Sequence, residues 1–480
     1  MQLSELIEKK TAAVDIKGVA LDSRQVGPGF LFAALKGEKT DGSNFIGEAI
    51  KKGAAVILAD ADQKEIKDTI LIREENPRRA FAKIVAKFYG TQPKVIAAVT
   101  GTNGKTSVGH FVRQIWFRMG KKSAAIGTLG VMADGLNYST GLTTPDPIVL
   151  HKALKELADH DVSHVILEAS SHGLVQNRVD GADIIVAGFT NLTQDHMDYH
   201  ADEENYFAAK ARLFSEVLNN QGTAVINNDS PFGERLIKMM TDQKIKVITV
   251  GRIKADITLK NTFAEKSGQQ MTFTYKGKEH SIFLPVLGFF QADNVLLAAG
   301  MVIASGFPAE KVFDTFFYLA GVTGRMEKVA DTPNGAEVYI DYAHTPDGLK
   351  HALFSMRDHT IGKLHLVFGC GGERDTAKRP KMGGVAEALA DYVYITDDNP
   401  RNENPFEIRQ EILEGCPMGE EFVDRGDAIR YGIRAMKPDD VLFITGKGNE
   451  TGQIVAGKVL PFSDKEVVKE TIAKMIEEQK

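Results

Sequence analysis

The sequence predicts an α/β protein of three domains, and three observations predict it. At 480 residues the chain is too long for one ordinary domain and fits about three. Apolar runs at Val95–Val99, His164–Leu167, Ile184–Phe189 and Ala224–Ile226 alternate with helical stretches, the pattern of strands buried on both faces of a parallel sheet. A second series, at Glu337–Ile340, Leu364–Phe368, Tyr392–Thr396 and Val441–Thr445, repeats that pattern after a Gly-rich passage at Gly321–Arg325.

In chain order, residues 1–91 mix short strands and helices and end in an amphipathic helix, Arg78–Tyr89, followed by Gly90-Thr91-Gln92-Pro93, a domain boundary by its punctuation. Residues 92–324 form the central sheet domain. Its polar, alternating stretch Ala255–Leu284, with a turn at Tyr275-Lys276-Gly277-Lys278, reads as antiparallel strands appended to the sheet. Residues 325–480 form a Rossmann-like third domain. Lys plus Arg number 58 and Asp plus Glu 64, a net charge of −6 that argues against a nucleic-acid or anionic-membrane surface. No apolar run spans a bilayer and MQLSELIEKK is no secretory leader, so a cytoplasmic protein is expected. Cys370 and Cys416 stand far apart, without the spacing of a disulfide framework or zinc site.

After Val99 comes Gly101-Thr102-Asn103-Gly104-Lys105-Thr106-Ser107, then a helical pattern. Glycines there let backbone N–H groups close around phosphates at a helix N-terminus, while Lys105 neutralises oxygens and Thr106 offers a hydroxyl to Mg²⁺. The general phosphate-loop pattern needs a glycine at position 99, which is Val, so this is a shorter form. It predicts ATP binding. Glu168, at the carboxyl end of its strand, reads either as a metal ligand or as a helix-capping or salt-bridged carboxylate. The loop Thr190–His200 carries Asp195, His196, Asp198 and His200, which fits metal or phosphoryl chemistry, or simply a polar loop. Lys210 lies in a helical stretch, where lysine is most often a solvated or ion-paired surface group.

Together these segments resemble the Mur ligase family, ATP-dependent amino-acid ligases of peptidoglycan precursor synthesis to which folylpolyglutamate and cyanophycin synthetases are related. Further matches are Glu168–Gly173, Asn191 with Asp195-His196, Asn227-Asn228-Asp229, Gly288–Asn294, Gly324-Arg325-Met326-Glu327 and Asp341–Pro346. They run in order from Leu21-Asp22-Ser23-Arg24 to Gly446-Lys447-Gly448, covering essentially the whole chain. The resemblance implies a UDP-binding N-terminal domain, a central ATP-binding domain and a third domain that takes the incoming amino acid. It implies that Leu21, Ser23, Glu38, Lys39 and Thr40 hold the uridine end of a UDP-N-acetylmuramoyl-L-alanyl-D-glutamate substrate, and Thr143, Thr144, Ser170, Gln176 and Arg178 its sugar-peptide end. ATP falls to residues Gly101–Ser107 with Asn294, Arg325, Asp341 and His344, the adenine lying near Asn294 and His344. Lys105, Glu168, His196 and Lys210 are the implied catalytic set. Lys210 is implied to be carbamylated, a change that turns a cation into an anion able to bridge metals, and Thr106, Glu168, His196 and carbamylated Lys210 to surround Mg²⁺.

The resemblance further assigns Arg374, Asp398, Asn399, Pro400, Arg401, Gly446 and Glu450 to the amino acid. Asp398-Asn399-Pro400-Arg401 is similar to the subgroup that adds meso-diaminopimelate rather than lysine. The chemistry agrees, because diaminopimelate carries a distal carboxylate that a planar guanidinium binds bidentately; the other reading of Arg401 is a loop-capping arginine. Asn449 departs from the family's usual histidine, which puts an acid/base role there in doubt. The implied reaction passes through an acyl phosphate, which the diaminopimelate amine then attacks, in a monomeric enzyme acting on small molecules. Readings left open are the same fold adding lysine or another amino acid, and a non-catalytic ATP-binding amidotransferase partner.

Overall fold

The computed structural model describes residues 1–7, 13–37, 40–67, 69–193, 199, 202–265 and 267–478. Among them stand three main sheets. Four parallel strands, Gly18–Ala20, Phe30–Ala33, Ala54–Asp60 and Ile70–Glu74, make the first, in that order. Helix Pro77–Tyr89 covers it, starting with proline at a position where no N–H is missed and with Asn76 capping the Arg79 N–H at 2.9 Å. Phe81, Ile84 and Val85 from this helix are buried with Leu31, Val56 and Leu58.

The second sheet has 11 strands. At its centre Val95–Thr100 is parallel to His164–Glu168 on one side and to Ile184–Phe189 on the other, with Val99 opposite Glu168 and Thr100 opposite Phe189. That register sets the phosphate loop, Glu168 and the segment Thr190–Thr193 side by side at the carboxyl edge of the sheet, where open α/β sheets bind ligands. Strand Ile257–Glu265 runs antiparallel to Gly268–Tyr275, and that strand to Lys278–Leu284, as expected; Lys276 and Gly277 adopt φ of 49° and 79° in the turn. The opposite end of the sheet carries antiparallel strands that the sequence did not announce, Ser123–Gly127, Gly130–Ala133 and Leu136–Tyr138. They are too short for a clear alternation.

The phosphate-loop helix Lys105–Arg118 packs on helix Phe290–Ala304 through Val108, Phe111, Val112, Val295 and Leu296, all fully buried. The latter contains the longest apolar run, and no helix among the described residues is long and apolar enough to cross a membrane.

The third sheet orders its strands Glu327–Asp331, Glu337–Ile340, Val441–Ile444, Leu364–Phe368, Tyr392–Ile395 and Glu420–Glu421; all neighbours but the first pair are parallel. Its three inner crossovers deliver the loops after Phe368, Ile395 and Ile444 to one rim. Arg425 anchors that rim from beneath, donating to both oxygens of Asp464 (2.7 and 2.8 Å) and to Thr445 O (2.8 Å), with both charged side chains fully buried. A small hairpin, Gly452–Val455 with Lys458–Pro461, stands apart from the three sheets.

Candidate functional site

The phosphate loop turns through Gly101 (φ 147°) and Gly104 (φ 87°) before the helix starts at Lys105. A Cβ on Gly101 would collide with Thr190 and one on Gly104 with Asn294, so both glycines are required by space as well as by backbone angle. Neighbouring residues hold the loop in shape: Asn191 O accepts from Thr102 N and Asn191 Oδ1 from Asn103 N, both at 2.9 Å, while Thr190 Oγ1 donates to Asn103 O at 2.6 Å. Lys105 folds back so that Nζ donates to Gly101 O and Thr102 O, each at 2.8 Å.

Glu168 is buried and ringed by oxygen and nitrogen donors: Thr106 Oγ1 at 2.9 Å and Thr128 through N at 3.0 Å and Oγ1 at 3.1 Å. A Cβ on Gly127 would strike its carboxylate, which is why glycine precedes Thr128. This carboxylate joins the phosphate loop to the sugar-peptide residues of the expected site. Thr128 Oγ1 lies 3.1 Å from Thr143 Oγ1, and Thr144 Oγ1 donates to Glu168 O at 2.8 Å and sits 3.0 Å from Ser170 Oγ. Arg178 donates to Thr144 O at 2.8 Å and to Gln176 Oε1 at 2.7 Å, closing the group.

Lys210 corrects the surface reading of its helix. It is only 1% exposed, with Nζ donating to Gly101 O at 2.8 Å and lying 4.2 Å from the centre of the Tyr206 ring. The turn of helix Glu203–Arg212 that carries it faces the back of the phosphate loop. His196, expected beside it, lies outside the described residues, as do Glu38 and Lys39. A Mg²⁺ fits the remaining donors: a buried carboxylate beside a threonine hydroxyl at the mouth of a phosphate loop is the hard-oxygen set this ion takes.

A cavity of about 630 Å³ opens between the central and third domains, lined by Asn103, Gly104, Thr106, Asn294, Arg325 and Asp341 among others. Arg325 bridges the two domains, reaching Thr106 Oγ1 at 3.5 Å while its guanidinium stacks 4.2 Å from the Tyr342 ring. Burial pushes the Asp341 carboxyl up, against the pull of Arg325 and of N–H groups from Met326 and Ala343. His344 Nδ1 lies 2.9 Å from Tyr342 O, and the histidine among the cavity's lining residues is His351. Its Nδ1 lies 3.3 Å from Asp347, which raises the imidazole and holds the carboxyl below its ordinary range. Sequence reasoning missed Asp347 and His351 because they sit in the first two turns of helix Pro346–Arg357, beyond the recognisable Asp341–Pro346 segment.

On the rim of the third sheet, Asp398, Asn399 and Glu450 gather around Lys447, which is fully buried and donates to Glu450 Oε2 at 3.0 Å and Asn399 Oδ1 at 3.2 Å, with Asp398 at 3.7 Å. Lys447, between two glycines in the sequence, supplies the positive charge at the centre of this cluster. A Cβ on Gly446 (φ 107°) would meet Asp398 Oδ2 at 2.6 Å. Arg401 donates to Gly372 O at 2.7 Å, and burial together with the positive charge of Arg374 pushes its guanidinium down. Arg374 is exposed and Arg401 half-buried, and the carboxylates of Asp398, Glu450 and Glu373 act on Arg401 in the opposite direction. Ser23, in the first domain, is buried and donates to Glu48 Oε2 at 2.8 Å; Leu21 and Thr40 lie in the same domain, Leu21 half-buried and Thr40 exposed.

Three family models match this chain in order: Mur ligase family, catalytic domain, over residues 15–89; Mur ligase middle domain over residues 99–302; and Mur ligase, glutamate ligase domain, over residues 324–448. The chain belongs to the Mur ligase family. Within it, the chain is 46% identical over 461 residues to the UDP-N-acetylmuramoyl-L-alanyl-D-glutamate–2,6-diaminopimelate ligase of Zymomonas mobilis, covering 95% of each chain. To the enzyme of the same name from Caulobacter vibrioides it is 46% identical over 470 residues, 96% of this chain and 97% of that one. A solved structure of such a ligase superposes with a TM-score of 0.72 at 30% identity, covering 99% of both chains. The fold alone is shared with a MurF ligase from Thermotoga maritima solved with ADP, at a TM-score of 0.67 and 18% identity.

Proposed function

We propose that this chain is an ATP-dependent ligase that joins meso-diaminopimelate to the D-glutamyl γ-carboxylate of UDP-N-acetylmuramoyl-L-alanyl-D-glutamate, releasing ADP and phosphate in peptidoglycan precursor synthesis. The observation that carries this reading is the bonding around Glu168. One carboxylate ties the phosphate loop, through Thr106, to the Thr143–Thr144–Ser170–Arg178 group, so that a nucleotide γ-phosphate and an acceptor carboxylate belong to one continuous site. Residues 1–91 take the uridine end of the acceptor, residues 92–324 ATP, and residues 325–480 the incoming amino acid. The protein works in the cytoplasm as a monomer.

In the first step the γ-carboxylate oxygen attacks the γ-phosphorus of ATP, ADP leaves, and an acyl phosphate forms. In the second, a neutral diaminopimelate amine attacks the acyl carbon, phosphate departs with the bonding electrons of the C–O bond, and the proton lost from nitrogen leaves on it as hydrogen phosphate. Lys105, released from Gly101 O and Thr102 O, turns to the phosphates, and Arg325 neutralises charge from the facing domain. Thr106, Glu168 and Lys210 as its carbamate, with His196, would hold Mg²⁺, which supplies charge neutralisation at the transferring phosphoryl group. On the third sheet's rim, Arg374 and Arg401 take the distal carboxylate of the amino acid and Glu450 its distal ammonium. Phosphate release should require ATP, the UDP-dipeptide and diaminopimelate together; release that persists without the UDP-dipeptide would contradict this reading.

A further inference from the structure

The hairpin Gly452–Pro461 has no core of its own. Its outer strand Lys458–Pro461 is exposed throughout, Val459 at 71%, and a two-stranded hairpin is marginally stable by itself. What it does make is a set of hydrogen bonds to the loop that carries Arg401. Arg401 N donates to Ile454 O at 2.9 Å, Ala456 N donates back to Arg401 O at 2.6 Å, and Ile454 N donates to Asn399 Oδ1 at 2.9 Å. Arg401 itself has φ 55°, a left-handed conformation that a branched or long side chain adopts only where its surroundings impose it. The hairpin imposes it from both sides of the residue, at N and at O.

Given the left-handed backbone, the side chain is directed back over the Gly369–Arg374 loop, where NH1 donates to Gly372 O and, at 3.3 Å, to Asn399 O. Its hydrogen bonds to described residues run to carbonyl oxygens, which orient the guanidinium. A Cβ on Gly371 would lie 2.9 Å from NH1, so the glycine of that loop makes room for this placement.

We propose that the Gly452–Pro461 hairpin is a clamp that fixes Arg401 in its left-handed conformation and thereby sets selectivity for an amino acid bearing a second carboxylate. This rests on the proposed function for the identity of that amino acid. Lysine, with no distal carboxylate, does not depend on the clamp.

The test weakens the clamp away from the site. Gly457 forms the hairpin tip at φ 74°, and a Cβ there meets only Asn402 Oδ1, at 3.9 Å, so Gly457→Val acts through backbone conformation rather than collision. Gly457→Asn, which tolerates the left-handed region, serves as the conservative partner. In the full-length protein without substrates, hydrogen exchange of the segment 399–403 should speed up in Gly457→Val and stay at the wild-type rate in Gly457→Asn. The KM for diaminopimelate should rise about tenfold in Gly457→Val, with the preference over lysine shrinking in step, while the KM for ATP stays unchanged. Unchanged exchange at 399–403 would overturn the clamp whatever the substrate proves to be. Faster exchange with an unchanged KM for diaminopimelate, or a uniform loss across all substrates, would overturn its role in selectivity. Wild-type protein that uses no diaminopimelate would overturn the proposed function, and the selectivity role with it.

Discussion

At the scale of single residues, Glu168 and Lys210 separate what chemistry needs from what folding needs. Glu168→Gln keeps the shape and one oxygen to accept from Thr128 N, but it removes the charge and turns a donor toward Thr106 Oγ1, so kcat should fall about a hundredfold or more; unaltered turnover would exclude a metal-binding role. Lys210 is almost wholly buried behind the phosphate loop with Nζ on Gly101 O, and the proposed function places a carbamate on that nitrogen. A carbamate resonance from ¹³C-bicarbonate that vanishes in Lys210→Ala is the expected outcome. The type of both residues was legible in the sequence. Their surroundings were not: burial of Lys210 depends on Gly101, 109 positions away, and the bond from Thr128 on a hairpin turn whose strands are too short to show a period.

Among elements, strand register does the positioning. The apolar runs at Val95–Val99, His164–Leu167 and Ile184–Phe189 announced the strands, because strands buried on both faces must be apolar throughout. Their spatial order and the pairing of Val99 with Glu168 are tertiary and had no local signal. The loop geometry is also strict. Gly104→Ala should abolish nucleotide binding, read by calorimetry with an ATP analogue, since its Cβ has no room beside Asn294. In the third domain the buried pair Arg425–Asp464 holds Thr445 O and so the Gly446–Glu450 turn. Removing one partner by Asp464→Ala strands a buried guanidinium and should cost about 3–5 kcal/mol in denaturant unfolding; a cost under about 1 kcal/mol would mean the pair is already solvated. No sequence motif marked this pair, because its two members are 39 residues apart and lie on different helices.

For the whole molecule, acid stability and domain movement follow from the same packing. Burial pushes His110, His151 and His164 each down to about 4. In the unfolded chain they titrate near 6.5, so between roughly pH 6.5 and 4 the unfolded state binds more protons and stability falls as pH falls. The melting temperature should drop across that window, and His151→Gln, at a side chain 1% exposed, should flatten the drop if the variant folds. Arg325 already links the two domains across the 630 Å³ cavity, so an ATP analogue with both other substrates should draw the third domain inward, seen as a smaller radius of gyration by X-ray scattering. The most direct measurement of the central claim is a competition: equal meso-diaminopimelate and L-lysine supplied with ATP and UDP-N-acetylmuramoyl-L-alanyl-D-glutamate, and the product mass read. A product carrying diaminopimelate, with the preference lost in Arg401→Ala, is the predicted result; a lysine product, or no tripeptide product at all, would contradict it.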